Sequence, residues 1–163
     1  MASPPAVRKA LPPPTLAEPI PSLAGAPGLK LLRNTSPTKS RLPMAPDDVR
    51  ALVAASREVV ASISSATVSE VAAVLEGLAL HFPAMRRDAW ESRIVNLQWA
   101  EDLAGYPVDL LTEGARLWRN SDERFFPTPG QFKAAIEPIF NHRRTLARRA
   151  EAILAAQNEM ENA

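Results

Sequence analysis

Hydrophobic and polar residues follow no period over the first 46 positions of the chain. Beyond them, apolar residues return every three or four positions, the spacing of a helix with one buried face. Val49, Leu52, Val53, Val60 and Ile63 predict a first helix, and Pro46 with Asp47 and Asp48 behind it suits a helix N-terminus. Thr-Val-Ser-Glu at 67–70 has capping-box spacing, with Thr67 accepting from the N3 amide while Glu70 reaches back. It opens a second helix with Val68, Val71, Leu75 and Leu78 on one face. A third helix after "HFP" (81–83) carries Trp90, Ile94 and Leu97, and beside them Val95, Trp99 and Leu103. Two such stripes predict a helix covered on more than one side. Gly105 ends it, Pro107 stands at the first position of the next helix, and Val108, Leu111, Ala115 and Trp118 line that helix's face. Residues 47–163 hold no alternating strand pattern. The expected fold is all-α.

Proline sets the boundary. Eleven of the 16 prolines lie in residues 1–46, and each removes an N–H and bends its predecessor out of helical conformation. Residues 1–45 are therefore expected to be a disordered arm with polyproline II character. The same prolines oppose the amphipathic helix of a transit peptide. "GLKLLR" (28–33) reads either as a short linear motif or as part of the disordered arm. A small bundle of four to five helices is expected over 46–137, followed by a C-terminal amphipathic helix over 138–163. Pro138 predicts a kink, or a break that sets the last segment apart.

Charge changes this picture little. The arm carries six basic residues against Glu18, and the remainder 13 basic against 17 acidic, so a basic arm precedes a mildly acidic body. An acidic body argues against a domain that wraps nucleic acid, leaving nucleic acid a secondary partner. No run is long and apolar enough to span a bilayer, and the absence of Cys excludes disulfides and thiol nucleophiles. These features fit a cytoplasmic protein.

No catalytic chemistry is expected. The phosphate-cradling Gly-x-x-x-x-Gly-Lys-Ser/Thr is absent, and His81 and His142 lack metal-site neighbours. Glu101–Asp102 and Asp122–Glu123 are adjacent acids and not facing pairs. Neither a catalytic residue nor a cofactor or metal site is assigned.

The candidate binding residues are aromatic and basic. In "FFPTPGQF" (125–132), Thr128 and Gln131 have capping-box spacing and Pro129 fits the first helical turn. Pro127 holds Phe126 extended, so Phe125 and Phe126 point in different directions. Either both rings pack internally, or one enters the core beside Trp118 or Phe132 and the other stays near the surface. In the last helix, Ile139, Leu146, Ile153 and Met160 recur every seven residues, as do Phe140, Ala147 and Leu154. That spacing, with the basic flank "HRRTLARR" (142–149), predicts a partner or self-association helix, packing onto the body, or a frayed tail.

The stretch "AGYPVDLLTEGARLWRNSDERFFPTPGQF" (104–132) resembles the helical domain of the phage-type replicative helicase loader/inhibitor family. Shared features are a Tyr-Pro helix start, an amphipathic helix, a polar loop and Phe-x-Pro-Thr/Ser-Pro before another helix. The end of the stretch is also similar to the Phe-x-Pro-Ser-Pro-Gly-Gln-Phe element of lambdoid replication protein P. The resemblance implies an adaptor without ATPase activity that binds a hexameric replicative helicase. It departs in order, since that family places its helical domain before a flexible tail. Partner-contacting residues are then expected among Tyr106, Trp118, Phe125, Phe126 and Phe132, and among Ile139, Arg143, Arg144, Leu146, Arg148 and Ile153 of the last helix. The alternative is a helix-turn-helix DNA-binding regulator, using helices near 68–80 and 88–103 with Arg86, Arg87 and Arg93 at phosphates. Its turn, "HFPAM", is longer than the usual three or four residues.

Overall fold

One helix of 33 residues, Pro129–Glu161, organises the molecule. The structure is a computed structural model that describes residues 25–35, 44–82 and 88–162. Among these residues the elements are α1 (Pro27–Asn34), α2 (Pro46–Ala61), α3 (Val68–Ala79), α4 (Ala89–Asp102), α5 (Val108–Arg119) and α6 (Pro129–Glu161), with no strand. The all-α expectation holds. None of these helices is long and apolar enough to cross a membrane.

The helix starts follow local chemistry. Thr67 and Glu70 form the expected capping box, and so do Thr128 and Gln131. Asp88 caps α4 by accepting from the Glu91 amide at 2.7 Å. Gly105 ends the α4 turn at φ 92°, a left-handed conformation that an L side chain rarely adopts. Pro107 is the N-cap of α5, and Val108 takes the first helical position expected for it.

Two cores share α6. The larger joins α3, α4 and α5 to the N-terminal part of α6 through Val71, Leu75, Leu78, Trp99, Leu111, Trp118, Phe132 and Ile136. At Gly114, α5 and α6 approach so closely that a Cβ would lie 2.7 Å from Ile136 Cγ2. The smaller core joins α1 and α2 to the C-terminal part of α6 through Leu29, Leu32, Leu52, Val59, Leu146, Ala150 and Ile153.

Three expectations need correction. The boundary at 137/138 falls inside α6, which runs unbroken through Pro138. Pro138 and Ala134, whose carbonyl loses its partner, are both exposed, so water can take that carbonyl. Secondly, the C-terminal helix does not stand apart, because its apolar face packs on α1 and α2. Thirdly, the arm is helical over Pro27–Asn34, where Pro27 starts the helix and burial of Leu29 and Leu32 holds it. The rest of the arm expected to be disordered, 1–24 and 36–43, lies outside the described residues, as do Arg86 and Arg87. Of the two stripes on α4, Trp99 and Leu103 are buried, Ile94 and Val95 are half-buried and Leu97 is exposed.

Candidate functional site

The turn between α5 and α6 is tied down from both ends. At the C-terminus of α5, the Asn120 side chain donates to the Arg116 carbonyl at 2.8 Å and the Ser121 hydroxyl to the Trp118 carbonyl at 2.7 Å. Each of these carbonyls also accepts a backbone amide, from Asn120 at 3.2 Å and from Ser121 at 3.1 Å, so the side chains reinforce the last turn. The Glu123 amide in turn donates to Ser121 Oγ at 3.3 Å. At the start of α6, the Gln131 amide donates to Thr128 Oγ1 at 3.3 Å and the Thr128 amide to Gln131 Oε1 at 2.9 Å. Between them, the indole N–H of buried Trp118 donates to the Phe125 carbonyl at 3.0 Å. Pro127 is buried, which fixes the backbone on the far side of Phe126.

The two phenylalanines separate. Phe126 turns inward and meets Phe82 edge-on at 6.0 Å and 89°, and Trp99 at 5.6 Å and 66°. Trp99 continues the cluster to Phe132 at 5.7 Å. Phe125 turns outward and is 74% exposed. A groove of about 390 Å³ lies at this turn, lined by Trp118, Asp122, Glu123, Phe125, Phe126 and Gln131 among others. The aromatic turn thus holds one ring in the core and one in solvent.

Most of the other expected contact residues serve the interior. Trp118 and Phe132 are core. Tyr106 is half-buried and donates its hydroxyl to Glu137 of α6, while its ring lies 4.7 Å from Phe140. Burial, and then the Glu137 carboxylate, push its phenol up to about 12. Arg144 covers the other partner in this group, its guanidinium 5.6 Å from the Phe140 ring centre. Ile139, Leu146 and Ile153 are buried within the chain and present no free face to a second molecule.

Arg143 is the clearest reversal. It lies in the basic flank, yet it is only 2% exposed. Its two terminal nitrogens bond the two carboxylate oxygens of Asp109, each at 2.9 Å, and one also bonds the Ser62 carbonyl at 3.0 Å. This fork ties α6 to the start of α5 and the end of α2. Of the basic residues expected to meet a partner, Arg144 and Arg148 are exposed.

Phe82, Glu137 and Asp109, which position these side chains, are not singled out by sequence. Each acts across a long stretch of chain, with no local spacing to mark it. Among the described residues, no group of three or more His, Cys, Asp or Glu could hold a metal ion. No family model, curated protein or solved structure matches the chain.

Proposed function

We propose that this protein is a non-catalytic adaptor that docks on a hexameric replicative helicase, with Phe125 as the anchor of the contact. The observation that carries this reading is a largely solvated aromatic ring on a backbone held by the Trp118 indole and by the packing of Phe126. An exposed ring is ordinary on a floppy loop. Here the backbone beneath it is held by Trp118, Pro127 and the Thr128–Gln131 box, so docking would require little further ordering. Burying a Phe side chain is worth about 1.5–3 kcal/mol, and about three quarters of that gain is left for a partner. The helicase as partner rests on the resemblance of residues 104–132 to the loader/inhibitor family. Arg144 and Arg148 extend the exposed contact set along α6.

Size-exclusion chromatography of the full chain with the cognate replicative helicase tests the reading, with duplex DNA run in parallel at physiological salt. A salt-resistant complex with the helicase, without retention of DNA, is expected. Retention of duplex that falls steeply with salt, with no helicase bound, would replace the adaptor with a DNA-binding regulator.

A further inference from the structure

The smaller core is built like a complex between a helix and its receptor. α1 has eight residues, too few for a stable isolated helix, and its N-cap Ala26 supplies no side-chain cap. It is helical because Leu29 and Leu32 are buried against Leu52 and Val59 of α2 and Leu146, Ala150 and Ile153 of α6. The crossing with α2 is very close. A Cβ at Gly28 would lie 2.2 Å from the Ala51 carbonyl oxygen and 2.8 Å from Ala55 Cβ. At the other end, Arg149 of α6 donates to the carbonyls of Leu32 and Arg33 in the last turn of α1. A small residue at the crossing, two leucines three apart and a guanidinium on the last carbonyls are the elements of helix-in-groove recognition, made here within one chain.

We propose that the groove between α2 and α6 is a helix-docking site that α1 occupies in cis. The partner it fits is an amphipathic helix with the Gly-Leu-x-x-Leu spacing of residues 28–32, which takes the place of α1. α1 is too short to hold its helix alone, so it opens before the rest of the core. Along α6, Arg149 stands 21 residues beyond Thr128, about 30 Å at 1.5 Å per residue. The groove is therefore a second surface, independent of the aromatic turn and of the helicase reading.

The test uses a fluorescent peptide of residues 25–35, titrated by anisotropy into the full chain and into its Gly28→Val variant. The added side chain meets backbone at Ala51, so α1 of the variant cannot seat and the groove stands open. The peptide is expected to bind the variant at least ten-fold more tightly than the unaltered chain. A peptide carrying Leu29→Ala and Leu32→Ala should lose that binding. A Gly28→Val protein that keeps its helical circular dichroism and cooperative melt, yet binds no peptide at millimolar concentration, overturns the proposal. Equal affinity for both proteins overturns it too. Hydrogen exchange on the unaltered chain covers the case in which the variant fails to fold. The hydrogen-bonded amides of α1 should exchange at least 100-fold faster than those in the middle of α2 and α6. Exchange at the same rate would make α1 an integral part of the core and refute a displaceable ligand.

Discussion

Replacing Asp109 with Asn is expected to destabilise the fold more than removing its buried partner altogether. The Arg143 guanidinium is 2% exposed and holds two bonds to Asp109 and one to the Ser62 carbonyl. Asp109→Asn keeps the shape, but it removes the charge and turns an amide N–H₂ toward one guanidinium nitrogen. A buried ion pair broken on one side costs about 3–5 kcal/mol when both partners are dry. Asp109 is 53% exposed, so water reaches the gap and the expected cost falls to about 2 kcal/mol. In a chain of this size that is a drop of roughly 4–8 °C in melting temperature. Arg143→Met takes the buried charge away with its bonds, leaves Asp109 to water, and should cost about 1 kcal/mol. The double variant should match Arg143→Met. Thermal and urea melts of the three proteins check this order. A neutral Asp109→Asn beside a strongly destabilising Arg143→Met would mean that Arg143 acts through packing and Ser62, and that the ion pair does not matter.

Other outcomes follow from single sites. Tyr106 is the only tyrosine, so the rise in phenolate absorbance reports it alone; its midpoint should lie near 12 in the folded protein and near 10 in denaturant. Because the folded value is the higher, its contribution to stability is complete below pH 10 and is lost as pH rises towards 12, which melts across that window check. Gly114→Ala should cost about 1–3 kcal/mol in a urea melt, since its Cβ would lie 2.7 Å from Ile136 and 2.9 Å from Phe132. Ser56→Ala should raise stability by about 1 kcal/mol, because the Ser56 hydroxyl is buried without a hydrogen-bond partner.

What can be read from sequence is local. Thr67–Glu70 and Thr128–Gln131 mark helix starts because both halves of each box lie within one turn, and Gly105 marks a helix end for the same reason. The alternation of an extended backbone separates Phe125 from Phe126. Which one enters the core depends on Phe82 and Trp99, 44 and 27 residues before Phe126, and no spacing rule reaches them. The seven-residue pattern of Ile139, Leu146 and Ile153 records that one face is covered; it does not say whether by a second molecule or by the chain's own helices. Arg143 reads as a partner contact in a basic flank because its carboxylate lies 34 positions away on α5. Proline density hides α1, whose two leucines give a helical signal only once α2 and α6 are beside them.

Phe125→Ala decides the docking claim, with affinity for the replicative helicase measured by titration calorimetry and stability by melting on the same protein. The ring is 74% exposed, so its loss should leave the melting temperature unchanged while affinity falls by about 2 kcal/mol, roughly 30-fold. Unchanged affinity in a folded Phe125→Ala protein would contradict the account, and the exposed ring would be no anchor.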